Sequence, residues 1–247
     1  MTLKSMLTVN NLVKNFGGVR AIIGSTFTIE KGKTTALIGP NGAGKTTLFD
    51  IITGFVRSDR GTVVYAHYNI TNAEPWEIAA LGISRTFQQV RLFHYLTILD
   101  HLRMIETKDD TKIFQNIFSK KKVDVEKFQT ILDAYGIIQP LETLVSELSF
   151  GQRKLLQLAL ALERPHKMLL LDEPVSGVNK VLQATIEEKL LALKRQGETM
   201  IIIDHDMNFV RKLADHVIVL DAGVVLVQGK PEDVLCDPKV LAAYLGE

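Results

Sequence analysis

Eight residues constrain this chain more than any others. Gly39-Pro40-Asn41-Gly42-Ala43-Gly44-Lys45-Thr46 fits the pattern G-x-x-x-x-G-K-[ST]. A chance match somewhere in a chain of this length is about one in a hundred. Context strengthens it. The pattern follows a strand-like run, Ala36-Leu37-Ile38, and opens a helical one from Thr46 to Ile52. Glycines let main-chain N–H groups wrap a polyphosphate without Cβ clashes. The helix N-terminus adds partial positive charge. Residues Gly39, Pro40, Asn41, Gly42, Ala43 and Gly44 are therefore predicted to cradle phosphates. Lys45 is placed to reach the β and γ phosphates, Thr46 to set its hydroxyl on Mg²⁺, and Thr47 to meet the α phosphate. The competing reading is a glycine-rich turn with no ligand.

Such a loop needs a parallel sheet behind it, and the chain supplies one. Leu7-Thr8-Val9, Ser25 to Glu30 and Lys33 to Ile38 read as strands. Residues 167–172, 199–204 and 216–221 are compact apolar runs of strand length. Each adjoins a helical pattern, which predicts parallel strands with crossover helices. Val224-Val225-Leu226-Val227, between Gly223 and Gly229, predicts a late hairpin. Residues 89–165 carry little strand pattern and several helical stretches. The expected organisation is one domain over 1–247, with an α/β core from 1–88 and 166–247 and a helical subdomain from 89–165. Ser119-Lys120-Lys121-Lys122 reads as a solvated surface loop.

Composition narrows the classes. With 29 Lys+Arg against 28 Asp+Glu the net charge is +1, and a general nucleic-acid binder carries a stronger basic excess. One cysteine, Cys236, excludes an internal disulfide framework. A spanning helix needs about 20 consecutive apolar residues. The best runs, Met168 to Leu171 and Met200 to Ile203, are short and each meets an aspartate. Met1 to Met6 lacks the apolar stretch of a signal peptide. A cytosolic chain is expected.

Leu169-Leu170-Leu171-Asp172-Glu173-Pro174 is an apolar strand ending in two acids. Asp172, at the carboxyl end, is predicted to face the phosphate loop and hold Mg²⁺ through water. Glu173 points elsewhere because side chains alternate along a strand, where it could polarise an attacking water. Taken alone, a helix N-cap or a surface pair is an even alternative. His205 ends the next apolar strand, Ile201-Ile202-Ile203-Asp204-His205-Asp206, where α/β sheets gather ligands. The interval between Asp172 and His205 accommodates one helix, roughly Val181 to Arg195, and one strand, so the two lie on neighbouring strands. His205 is assigned as a γ-phosphate sensor that orients Glu173 and the water.

Together these residues resemble the ATP-binding cassette family, the ATPase subunits of ABC transporters. The most specific element is Leu148-Ser149-Phe150-Gly151-Gln152, which resembles the signature LSGGQ and precedes a helix from Arg153 to Leu162. Locally it also reads as a Ser N-cap. The resemblance implies a P-loop NTPase core, with a mixed, mainly parallel sheet and an N-terminal antiparallel β region, plus a helical subdomain that carries the signature. It implies Phe16 as the aromatic that stacks on adenine; a core aromatic is the alternative. It implies Gln88 as the glutamine that links Mg²⁺ and the attacking water to a transmembrane partner; a plain loop amide is the alternative. Its catalytic set is Glu173, His205, Gln88 and Lys45, and its metal set is Thr46, Gln88 and Asp172. Ser149, Gly151 and Gln152 belong to the nucleotide site of a second subunit, since cassettes of this family pair head to tail. Phe150 departs from the first glycine of LSGGQ. Val178-Asn179-Lys180 replaces the usual leucine, aspartate or asparagine, and proline.

Arg85-Thr86-Phe87-Gln88-Gln89-Val90-Arg91-Leu92-Phe93 and the ending Pro231 to Leu235 and Ala243 to Gly246 are similar to ATPases of the branched-chain (hydrophobic) amino-acid uptake group. Glu77 to Ile83 is shared with that group and with urea and short-amide importers. The implied partners are transmembrane permease subunits, a second ATPase subunit in a homo- or heterodimer and, indirectly, an extracytoplasmic solute-binding protein, with no nucleic acid. The implied cofactors are ATP and Mg²⁺, at the cytoplasmic face of the membrane. Two other classes stay open. A non-transport ABC ATPase conflicts with the neutral charge, and a binding-only cassette conflicts with the intact Glu173 and His205.

Overall fold

A computed structural model of the chain describes residues 5–105 and 125–245. The expected loop Ser119–Lys122 and Gly246 of the C-terminal ending lie outside the described residues. In chain order the elements are β1 (Ser5–Phe16), β2 (Val19–Glu30), β3 (Thr34–Ile38), α1 (Lys45–Ile52), β4 (Arg60–Tyr65), β5 (Tyr68–Asn69), α2 (Pro75–Ala80) and β6 (Ile83–Arg85). There follow α3 (Ile98–Ile105), α4 (Val125–Ala134), α5 (Phe150–Glu163), β7 (Met168–Asp172), α6 (Lys180–Arg195) and β8 (Met200–Ile203). The chain ends with α7 (Met207–Leu213), β9 (His216–Asp221), β10 (Val224–Gly229), α8 (Pro231–Val234) and α9 (Pro238–Leu245).

The strands form two sheets among the described residues. One has the order β10-β9-β3-β8-β7-β6, and the other, antiparallel, β2-β1-β4-β5. In the first, β9, β3, β8, β7 and β6 run parallel and β10 closes an antiparallel hairpin. The hairpin turn uses Ala222 and Gly223, both at positive φ, which matches the twist of the flanking strands.

Period two along the central strands divides the interior. Met168, Leu170, Ile201 and Ile203 face one cluster, with Leu7, Val9 and Phe27 of the antiparallel sheet and Leu48, Phe49 and Ile52 of α1. Leu169, Leu171, Met200 and Ile202 face the other, with residues of α3 to α7 such as Leu102, Phe128, Leu155, Ile186 and Phe209. Burial on both faces is why these strands read as unbroken apolar runs. Ala36, Ile38, Val217 and Val219 pack a third cluster with Val210, Val234 and Val240.

Five elements differ from the sequence reading. β1 and β2 are each twelve residues long, where only Leu7–Val9 and Ser25–Glu30 read as strand. Register shifts between Val9 and Leu12 and between Leu12 and Val13 break the alternation that marks a strand. β4 opens on Arg60 and Gly61, with no apolar run until Val63. β6 is only three residues. The helix after the signature begins at Phe150 rather than Arg153, because Ser149 caps it directly.

Candidate functional site

The carboxyl ends of β3, β8 and β7 stand side by side in one parallel run. All five residues of β3 are buried, so the loop that follows leaves from a rigid base. Gly39 has φ 149° and Gly44 has φ 99°. A Cβ on Gly39 would lie 1.9 Å from the Leu220 carbonyl oxygen, and one on Gly44 2.5 Å from that of Ala21. Neighbouring main chain thus demands these glycines before any ligand does. Gly44 caps α1 in a left-handed conformation with no side-chain hydrogen bond, and the first turn of α1 holds no acid. First-turn N–H groups in that situation favour an anion. The Lys45 ammonium donates to the carbonyls of Gly39 at 2.6 Å and Pro40 at 2.8 Å.

The loop borders a cavity of about 260 Å³. Residues 41–47, Gln88 and Glu173 all line it, as do Val19, Arg20 and Ala21 from β2. Gln88 Nε2 donates to Glu173 Oε2 at 3.1 Å. His205 Nδ1 stands 3.9 Å from Glu173 Oε1, and its side chain is largely exposed. Glu173 lies one residue beyond β7 with φ 46°. That left-handed turn, rather than simple strand alternation, sets the direction of its carboxylate.

Asp172 is 2% exposed and lies outside the lining of that cavity. Its Oδ2 is buried with no hydrogen bond among the described residues, and Arg85 Nη2 is 3.7 Å away. Burial pushes its carboxyl up to about 6; the Arg85 guanidinium opposes this, and the charges of Glu173 and Asp50 add to it. An orphaned buried carboxylate oxygen suits a hard cation. Mg²⁺ takes one or two protein oxygens and completes its shell with phosphates and water. The donor chemistry of Thr46, Gln88 and Asp172 fits that ion.

The signature segment stands apart. Ser149 Oγ accepts from Gln152 N at 3.3 Å, and Gln152 Oε1 accepts from Ser149 N at 2.9 Å, a reciprocal cap on α5. Ser149, Gly151 and Gln152 line no part of the phosphate-loop cavity of their own chain. Phe16, half-exposed at the end of β1, also lies outside that lining. It precedes the turn from which β2 returns Val19 to Ala21 to the cavity.

A family profile described as ABC transporter matches residues 23–176. The chain belongs to the ABC transporter family. A second profile, described as branched-chain amino acid ATP-binding cassette transporter, matches residues 224–247. Among curated relatives, the chain is similar to the probable branched-chain amino acid transport ATP-binding protein LivG of Archaeoglobus fulgidus, 38% identical over 98% of this chain and 95% of that one. It is also similar to the high-affinity branched-chain amino acid transport ATP-binding protein LivG of Escherichia coli, 31% identical over 98% of each. Among solved structures it resembles a nucleotide-free ATP-binding cassette from an ABC transporter, with TM-score 0.83 and 36% identity over 98% of this chain and all of that one.

Two residues of this ABC subunit escaped the sequence reading as site residues. Arg85 is buried, pairs Asp50 through Nη1 at 2.8 Å, donates to Thr53 Oγ1 at 2.7 Å and lies 4.7 Å from the Phe87 ring centre. Lys154 is buried beneath Glu173. Arginine in the short run Ile83-Ser84-Arg85 was the available signal for the first. A second, largely apolar groove of about 530 Å³ runs between α2, β6 and α5, bordered by Phe55, Trp76, Phe87, Arg91 and Leu160.

Proposed function

We propose that this chain is the ATP-binding and ATP-hydrolysing subunit of an importer for branched-chain or other hydrophobic amino acids. It works at the cytoplasmic face of the membrane beneath permease subunits. One observation carries the ATPase reading: Gln88 and Glu173 meet at 3.1 Å on the wall of the phosphate-loop cavity. The amino-acid reading is supported by the match over residues 224–247 and by the names of the relatives.

The loop amides and the α1 N-terminus bind the phosphates, and Lys45 leaves its loop carbonyls for the β and γ oxygens. Thr46, Gln88 and Asp172 would hold Mg²⁺, which would offset phosphate charge. Glu173 accepts the proton of the attacking water, and Gln88 and His205 keep its carboxylate directed at that water. Phe16 stacks on the adenine. Ser149, Gly151 and Gln152 stand outside their own cavity, so they serve the site of a second cassette, with the capped α5 N-terminus aimed at its γ-phosphate. The helices α3, α4 and α5, among the described residues of 89–165, belong to the subdomain that carries this signature. The apolar groove beside Gln88, with Arg91, Leu92 and Ile105 on its wall, receives the permease. No helix among the described residues is long and apolar enough to cross a membrane, and in this reading the membrane path belongs to other chains.

Uptake tests the substrate. Cells making the chain with its permease, second cassette and binding protein accumulate leucine, isoleucine and valine, and deleting this chain abolishes that uptake. Uptake of urea or short amides instead, with no loss of amino-acid uptake on deletion, would move the chain to a different importer group.

A further inference from the structure

Lys154 lies on α5, five positions after the capping Ser149, and is 4% exposed. A buried ammonium is costly unless its protons find acceptors. Here they find main chain rather than a carboxylate. Nζ donates to the Glu173 carbonyl at 2.8 Å and to the Ser176 carbonyl. Burial pushes its pKa down, and the nearby charges of Glu173, Asp204 and Asp172 pull it back up.

The acceptors are informative. Glu173 holds φ 46°, a conformation that non-glycine residues rarely adopt and that its surroundings must impose. Its N–H donates to the Ile203 carbonyl at 2.8 Å, and its own carbonyl accepts from Lys154. Both peptide planes beside its Cα are thereby fixed, and with them the direction of the Cα–Cβ bond. Ser176 opens the loop that ends at Asn179, the N-cap of α6. The start of α5 also touches that region elsewhere. A Cβ on Gly177 would lie 3.2 Å from Phe150 Cε1, and one on Gly151 3.3 Å from Leu182 Cδ1 of α6. Phe150, Gly151 and Lys154 thus seat one helix end on the loop that follows the carboxylate.

We propose that Lys154 is a positioning residue that ties the direction of the Glu173 carboxylate to the seating of α5 through the carbonyls of Glu173 and Ser176. This rests on the reading of Glu173 as the base. The helix that presents Ser149 to Gln152 is the same rigid body that carries Lys154. A shift of the signature against a second cassette therefore changes the aim of the base in this one.

The test uses the purified full chain, with folding checked by circular dichroism and thermal melting. Lys154→Met lowers kcat by about tenfold or more, the scale expected for a misaligned base, while KM for ATP stays within about twofold. Lys154→Gln keeps one neutral donor and falls between. If Lys154 acts through Glu173, then K154M/E173Q hydrolyses ATP in a single turnover as slowly as E173Q and no slower. If K154M fails to fold, K154Q carries the same comparisons. The proposal is overturned if the folded variant keeps more than half of kcat. It is also overturned if KM rises in step with the loss, or if the substitution slows E173Q by a further tenfold. An E173Q enzyme with near wild-type rate would instead remove the base reading itself. An inactive E173Q beside a fully active K154M removes only the role of Lys154.

Discussion

Lys45 is held ready. Its ammonium rests on two carbonyls of its own loop, 2.6 and 2.8 Å away, in the span that the proposed function gives to phosphate oxygens. Removing it costs little in the folded chain and much in the complex. Lys45→Ala is expected to weaken ATP binding by about tenfold or more and to leave the melting temperature within a few degrees. A fluorescent ATP analogue and a thermal melt check both halves. Arg85 is the opposite case, a charge already paired in the folded chain between Asp50 and Asp172. Arg85→Met leaves both carboxylates short of a partner and is expected to cost about 3 kcal/mol of stability, read by urea unfolding. Glu173 and His205 drew notice as an acid and an imidazole at the ends of apolar runs, Lys45 through the phosphate-loop pattern and Gln88 only through the family resemblance. Lys154 drew none. A lysine in a helix reads as solvent-facing, and only the packing of α5 on β7 and its loop turns it inward.

Among the elements, the join of β3 to α1 is the least tolerant. The Gly39 Cβ would meet main chain of β9, which cannot swing aside. Gly39→Ala is expected to destabilise by about 2 kcal/mol or more and to abolish nucleotide binding, as urea unfolding and nucleotide titration would show. β4 offers a contrasting case. Tyr65 is buried at 1% exposure with a hydroxyl that bonds to none of the described residues, and burial pushes its phenol up to about 12 from 10. The unfolded chain ionises first, so stability is intact below pH 10 and drains as pH rises from about 10 to 12. Tyr65→Phe is therefore expected to hold or raise stability at pH 7, by up to about 1 kcal/mol. It is also expected to flatten the alkaline loss. Unfolding at pH 7 and at pH 10.5 gives both numbers. The buried parallel strands were legible as apolar runs, whereas β1 and β2 were legible only over Leu7–Val9 and Ser25–Glu30, because bulges hide the alternation of the rest.

The molecule divides its labour by position. The parallel sheet gathers the phosphate loop, Asp172, Glu173 and His205 at one end of β3, β7 and β8. The helices of the intervening segment share the other face of that sheet and set the signature away from this cavity. In the proposed function a single chain therefore holds every part of an ATP site, yet Ser149, Gly151 and Gln152 do not line its own phosphate-loop cavity. The order of motifs along the sequence predicted that division, whereas the hydrogen bonds from Lys154 to the Glu173 and Ser176 carbonyls emerged only from three-dimensional packing. The proposed mechanism turns on Glu173 as the group that takes the proton from water. The direct measurement is single-turnover ATP hydrolysis by the purified full chain and by Glu173→Gln, with ATP affinity measured alongside. The expected result is a rate about 10²-fold or more lower in the variant, with ATP still bound as tightly as by the wild type. Hydrolysis by the variant at near the wild-type rate would contradict it.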